Sequence, residues 1–260
     1  MSQIAVDLGL CAGDGACVAV CPVRVLAMNA EGFPEEIAGT KCIFCGHCVA
    51  VCPCDALTHA GLPEEPFLPM PSEWPAPAMM DGFLMSRRSV REFKDRPVGK
   101  EVMEALLDVA RRAPTATNSQ LLHWIVIEDR EKLRALSRET LTGTGPNGVS
   151  PALLKEWEEG NDFVLRGAPT VVVVCSPKNY TWGKEDGAIA LTYLELAAEA
   201  RGLGACWAGY LARVAAMHEP LRRLLSVPEG YIVRGGLMLG EGLYSYRSIP
   251  PRKPISVQWV

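Results

Sequence analysis

Cys42, Cys45, Cys48 and Cys52, with Pro53 behind them, stand at the spacing C-x2-C-x2-C-x3-C-P. Thiolates so spaced can lie on one tight loop whose backbone N–H groups turn toward inorganic sulfide, which is how an iron–sulfur cluster is held. Structural zinc, the alternative, usually draws its four ligands from two well-separated C-x2-C pairs. A shift of 31 positions finds a second copy. Cys11, Cys17, Cys21 and Pro22 fall on Cys42, Cys48, Cys52 and Pro53, and Val18-Ala19-Val20 repeats as Val49-Ala50-Val51. One position breaks the duplication, because Asp14 stands where the second copy has Cys45.

Where two such runs occur together, the fourth cysteine of each ligates the other cluster. If that crossing holds, cluster I is bound by Cys11, Asp14, Cys17 and Cys52, and cluster II by Cys42, Cys45, Cys48 and Cys21. A carboxylate is harder than a thiolate and suits iron in a sulfide cluster less well, so the iron at Asp14 is the labile one. Three states stay open for cluster I: a 4Fe–4S cluster with oxygen from Asp14, one with water on that iron, or a 3Fe–4S cluster without it. The plainer alternative is that Asp14 caps a turn. Cys54 lies outside both runs and reads as a spare buried thiol. His47, inside the second loop, either tunes cluster II through a hydrogen bond or is a solvated loop histidine.

Eight of the ten cysteines lie in the first 54 residues of the 260, at ligand spacing rather than in a disulfide framework, so a reducing cytoplasm is the natural setting. A net charge of −4 shows no basic excess and argues against nucleic acid and anionic membrane as partners. Met1 to Leu10 lacks the basic flank and apolar stretch of a secretory signal, and no run of 18 apolar residues occurs, so no membrane span is expected.

The elements that must position these groups fall into three parts. Residues 1–59 form a small cluster module with few apolar residues outside its ligand loops, so metal binding must supply much of its folding free energy. Residues 60–80 carry six prolines and read as a linker of polyproline II character. Fully extended it would span on the order of 65 Å, enough for the module to dock on its own larger domain or on a partner's. Residues 81–260 have the composition of a globular α+β domain large enough for an independent core. There Val98, Val102, Leu106, Val109 and Ala113 recur at helical spacing before Pro114. Strands are expected over His123–Glu128, Thr170–Cys175 (buried on both faces) and Tyr231–Leu239. Helices are expected over Asp129–Arg138, over Asp186–Arg201 with Gly202 as its C-cap, and within Ala212–Leu225. Thr142–Ser150 reads as a Gly-rich loop and the chain ends in a Pro-rich tail.

Three segments of this domain could hold a ligand. Arg87-Arg88-Ser89-Val90-Arg91-Glu92-Phe93 places three guanidiniums and a hydroxyl within five residues, enough to surround a phosphate, though a solvated basic face has the same composition. Ala113 to Gln120 is turn-rich and polar between a helix and a strand, as a binding loop or a plain connection would be. Gly202-Leu203-Gly204-Ala205-Cys206-Trp207-Ala208-Gly209 could bring backbone close to a flat ligand, but it is not a G-x-G-x-x-G dinucleotide fingerprint.

Together these segments resemble the FMN-dependent nitroreductase family over residues 81–260. The resemblance rests on the R-R-S-x-R-x-F opening, the helix ending in Arg-Arg-Ala-Pro, Asn118-Ser119-Gln120, the buried helix running into Gly-Leu-Gly, and the terminal Pro-Arg-Lys-Pro. Residues 1–59 similarly resemble a two-cluster ferredoxin, with Asp14 departing from the all-cysteine pattern. The resemblance implies an α+β fold, a mixed α/β sandwich behind a small ferredoxin-like domain, and an intertwined homodimer with FMN at the subunit interface. It implies that Arg87, Arg88, Ser89 and Arg91 hold the FMN phosphate and ribityl chain and that Asn118 contacts the flavin ring. Ala208 and Gly209 would present backbone near its reactive edge, and Arg252, with Lys253, would reach the phosphate from the tail. Cys206 would line that pocket or serve as a buried structural thiol.

Clusters move single electrons whereas organic reductions need pairs, and a flavin converts one into the other. The expected path runs from an outside donor, a low-potential protein or NAD(P)H, through a cluster to FMN and on to an electron-poor small molecule such as a nitro compound. No side chain is assigned as a catalytic acid or base. The same parts could instead reduce an activated C=C or carbon–halogen bond, or relay electrons to a protein partner.

Overall fold

The computed structural model describes residues 3–143 and 151–260. From residue 144 on, the loop expected over Thr142–Ser150 lies outside them. The chain divides into two compact units, one of Met1–Trp74 with Thr117–Ser119 and one of Pro75–Ala116 with Gln120–Val260.

The first unit carries β1 (Ile4–Val6), α1 (Ala16–Ala19), β2 (Leu26–Met28), β3 (Pro34–Glu36), α2 (His47–Ala50) and β4 (Leu57–His59). The duplication is visible in space: α1 and α2 stand 31 positions apart, and each follows a glycine, Gly15 or Gly46, held left-handed at φ 71°. A side chain there would meet the Cβ penalty of that conformation, so glycine fixes the entry to each ligand-bearing turn. β1 pairs antiparallel with β4, Ile4 opposite His59, and β2 with β3, Leu26 opposite Glu36. The core is small, Ile4, Val25, Leu26, Ala56 and Leu57, and it takes in the cysteines Cys17 and Cys48.

The second unit opens with α3 (Pro77–Ser86), which takes in the last four residues assigned to the linker. Pro77 is no breaker there, because the first helical position has no use for an N–H. The linker expected over 60–80 therefore ends before Pro77. α4 (Lys100–Ala110), β5 (His123–Ile127) and α5 (Arg130–Thr142) follow, then α6 (Pro151–Glu158), β6 (Thr170–Pro177) and α7 (Gly183–Glu199). β7 (Gly204–Trp207), α8 (Gly209–Ala215), α9 (Glu219–Leu224) and β8 (Tyr231–Gly240) complete it.

The strands form one antiparallel sheet in the order β5-β6-β8-β7. Side chains alternate across a strand, and β6 uses both faces. Val171, Val173 and Cys175 pack with Leu133 and Leu136 of α5 and Leu211 and Val214 of α8. Val172 and Val174 pack with Leu106 and Ala110 of α4 and Leu191 and Leu194 of α7. A sheet buried on both sides by helices is the α+β sandwich expected. Asp129 caps α5 by accepting from the Lys132 N–H at 2.7 Å, and Gly202, left-handed at φ 73°, ends α7. Among the described residues no helix is long and apolar enough to cross a membrane.

Candidate metal centre and cofactor site

One cavity in the first unit is lined by Cys11, Asp14, Cys17 and Cys52, the four groups expected around cluster I. The cysteine contributed by the other run is Cys52. Cys54, read as a spare thiol, lines the same cavity and is half-buried. Asp14 Oδ1 accepts from the Ala16 N–H at 3.0 Å, which caps the turn into α1.

Backbone N–H groups point at sulfur in both copies. The Val25 N–H donates to Cys21 Sγ and the Ala56 N–H to Cys52 Sγ, each at 3.3 Å and each four residues on. Phe44 N–H donates to Cys42 Sγ, also at 3.3 Å. Such donors favour a sulfur that carries negative charge. Cys17 and Cys48 are buried, and burial pushes both thiols up. Bound iron is what would hold them as thiolates, and the free energy of that exchange belongs to folding. Among the described residues no three His, Cys, Asp or Glu side chains converge as a single ion requires, whereas a cluster offers each ligand its own iron and lets the sulfurs stand apart. The donor set fits iron–sulfur clusters.

His47 is exposed. The histidine at cluster II is His59, whose Nε2 lies 3.3 Å from Cys42 Sγ. No motif marked it, because it lies on β4 beyond the run, 17 residues from Cys42.

In the second unit the segment from Arg87 to Arg91 leaves α3 and runs beside β7. Ser89 bridges Ala205 in parallel, and the Val90 N–H donates to the Ala205 carbonyl at 2.9 Å. A Cβ on Gly204 would stand 2.7 Å from Val90 Cβ, so the glycine serves this backbone approach rather than that of a flat ligand. Two of the three candidate segments are thus neighbours, with Ala208 and Gly209 following at the start of α8. Ala208 is buried, and a Cβ on Gly209 would meet open space.

The guanidiniums diverge instead of converging on one point. Arg87 pairs with Glu195 of α7 at 2.8 Å. Arg88 folds back on the end of α3, donating to the Ser86 carbonyl at 2.9 Å and to that of Met85. It lines a cavity with Glu199, Gly204, Tyr244 and Tyr246. Arg91 donates to the Ser89 carbonyl at 3.3 Å and lines a different groove, with Asn161, Phe163 and Arg166. Extended backbone turns successive side chains opposite ways, which parts Arg88 from Arg87, and Arg91, four positions on, is drawn to the Ser89 carbonyl instead. Of the set expected around a flavin phosphate, Ser89 lies beside Ala205, and Arg87 is held by Glu195.

Glu195 is the acid that the apolar reading of α7 passed over. It is 4% exposed, and its second oxygen accepts from Trp207 Nε1–H at 3.4 Å. Burial pushes the Glu199 carboxyl up, one turn further on, with Glu195 adding and Arg87 opposing. Two glutamates four apart in the apolar C-terminal half of the helix were the available signal.

Asn118 ends a 3-10 turn (Ala116–Asn118), with Thr117 and Asn118 both at positive φ, 53° and 55°. Buried Asp186 holds the turn's first residue, accepting from the Ala116 N–H at 3.1 Å and from the Tyr180 hydroxyl at 2.6 Å. Arg252 and Lys253 lie in an exposed tail. Cys206 is 5% exposed among core residues, a structural thiol. Burial pushes Cys175 up to about 12, which leaves it inert.

Residues 84–241 match the nitroreductase family, and residues 3–53 match the 4Fe–4S dicluster domain. A protein of Archaeoglobus fulgidus, provisionally named an NADH dehydrogenase/NAD(P)H nitroreductase, is 32% identical over 162 residues, 60% of this chain and 82% of that one. An iodotyrosine deiodinase of Thermotoga neapolitana is 31% identical over 133 residues, 48% of this chain and 71% of its own. Among solved structures, a nitroreductase with bound FMN from Desulfitobacterium hafniense DCB-2 superposes with a TM-score of 0.57 at 25% identity. It covers 69% of this chain and 96% of its own.

Proposed function

The chain belongs to the nitroreductase family, and on that premise we propose that it passes electrons from an external donor through two iron–sulfur clusters to FMN and on to an electron-poor organic substrate such as a nitro compound. The observation that carries this is the cavity in which Cys52 of the second run joins Cys11, Asp14 and Cys17 of the first. A crossed ligand set makes little sense for two separate zinc sites and good sense for paired clusters. Bound clusters would supply single electrons, and bound FMN would supply the conversion of these into the pair that reduction of a nitro group consumes.

The protein's own part is to bind, orient and exclude. Cys42, Cys45, Cys48 and Cys21 hold cluster II, with His59 donating to Cys42. Arg87 and Ser89 bind the flavin phosphate end, Ala208 and Gly209 present backbone to the ring, and Asp186 fixes the turn that carries Asn118. Arg88, Arg91 and Arg252 complete the set in the assembled dimer. Support for a homodimer comes from the tail, where Tyr244, Ile249, Ile255 and Trp259 are exposed, an apolar surface that a second copy would cover. No side chain is assigned as acid or base.

Stopped-flow mixing with NADH or a low-potential protein donor tests the route. Flavin reduction by the working donor is expected to slow at least tenfold in Cys42→Ala and Cys45→Ala, and bleaching at an unchanged rate would overturn it. A second reading, cleavage of a carbon–halogen bond, is favoured by the resemblance to the Thermotoga deiodinase. Turnover of a nitroarene, an enone and a halophenol under dithionite separates the two.

A further inference from the structure

We propose that Cys54, rather than Asp14, is the fourth protein ligand of cluster I. The inference rests on the cluster assignment above and goes beyond it in naming a residue outside both cysteine runs. The duplication carries the argument. Cluster II has four cysteines from the two runs, and the residue two beyond Cys21 is Val23. Cluster I lacks a cysteine at position 14, and the residue two beyond Cys52 is Cys54. The first copy lacks a thiol at position 14, and the second carries an extra one at position 54, at the end of the segment that crosses to cluster I.

Geometry agrees with this exchange. Cys54 lines the cavity together with Cys11, Cys17 and Cys52. Asp14 also borders it, but its Oδ1 is engaged by the Ala16 N–H at 3.0 Å. With Oδ1 held in that local turn, Asp14 has its other carboxylate oxygen to offer iron, a hard donor. Iron in a sulfide cluster prefers the softer donor, which Cys54 supplies. On binding, the Cys54 thiol releases its proton to solvent as the Fe–S bond forms, and no electron is transferred.

The test uses the full-length chain, purified without oxygen, as wild type, Asp14→Ala and Cys54→Ala. Iron and sulfide are counted, and EPR spectra are taken after mild oxidation. Wild type and Asp14→Ala are expected to hold about eight irons per chain and to give no three-iron signal. Cys54→Ala is expected to fall to about seven, with a three-iron signal near one spin per chain. The inference is overturned if Asp14→Ala yields that signal and Cys54→Ala does not, or if wild type already carries it in full. A wild type without iron or visible absorbance would remove the cluster assignment itself, a different failure with a different mark. Should Cys54→Ala not fold, alkylation of the native holoprotein decides. Cys54 is half-buried, so a free thiol there reacts with iodoacetamide, whereas a ligated one is labelled only after the iron is chelated.

Discussion

His59 Nε2 lies 3.3 Å from Cys42 Sγ, while Nδ1 of the same ring accepts the Gly61 N–H at 3.0 Å. The second contact settles the tautomer: with Nδ1 accepting, the ring proton sits on Nε2 and is donated to sulfur. A donor to a ligand sulfur stabilises the more negative, reduced cluster and raises its potential. His59→Phe should therefore lower the potential of cluster II. A difference of about 1.4 kcal/mol between redox states is about 59 mV for one electron, so the shift should be on the order of tens of millivolts. An EPR-monitored redox titration reads it, and an unchanged or raised midpoint would contradict the donor role.

The Arg87–Glu195 pair is asymmetric. The Arg87 side chain is 26% exposed and that of Glu195 5%. Removing the arginine leaves a buried carboxylate with the Trp207 Nε1–H but no opposite charge, which costs about 3 kcal/mol. Removing the glutamate leaves a guanidinium that water can reach, at a cost of about 1–2 kcal/mol. Urea denaturation of Arg87→Met and Glu195→Gln should show that order, and the reverse order would mean that the Trp207 N–H suffices for the carboxylate.

Much of the second unit was legible because its signals are local. Four consecutive valines marked β6, and the spacing of Val98 to Ala113 marked α4. The cluster ligands were legible because a loop of fixed size must present thiolates at fixed spacing. What escaped depends on distant partners. His59 meets Cys42 across 17 residues, and Glu195 meets Arg87 across 108. β7 was hidden because Gly204 and Ala205 look like loop until Val90 is seen packed on them. The three arginines looked convergent in sequence because composition carries no direction, and in the fold each takes a different partner.

Iron should hold the first unit together. Its buried core is five aliphatic side chains and two cysteines, too little apolar surface to offset the entropy of ordering it. Removing iron with ferricyanide and EDTA should make residues 3–74 sensitive to protease and open to hydrogen exchange, while the sheet of the second unit stays protected. A metal-free chain protected throughout would show that the core suffices.

Asp186 accepts from both the Ala116 N–H and the Tyr180 hydroxyl while 3% exposed. Asp186→Ala leaves both donors without that acceptor and should cost about 1–3 kcal/mol. Because the turn ends at Asn118, flavin should also bind more weakly. Tyr180→Phe keeps the carboxylate on Ala116 and should cost less, about 1 kcal/mol. Urea midpoints and flavin fluorescence titration check both, and equal flavin affinity in all three proteins would separate the turn from the cofactor site.

Glu199 gives the protein a pH dependence of definite sign. Burial raises its folded pKa against the opposing charge of Arg87, whereas in the unfolded chain it titrates near about 4.3. Between the two values the folded state binds more protons, so stability falls as pH rises through that window. The contribution of the protonated carboxyl is fully present below the unfolded value and lost once pH passes the folded one. Glu199→Gln keeps the shape and removes the titration. Its urea midpoint should match wild type at about pH 4 and exceed it at about pH 7, with the gap opening between. Both proteins are compared at each pH, so any acid loss of iron affects them alike. A gap that is constant across the range would mean that the glutamine acts by packing, and a wild type more stable at neutral pH would mean that Arg87 outweighs burial.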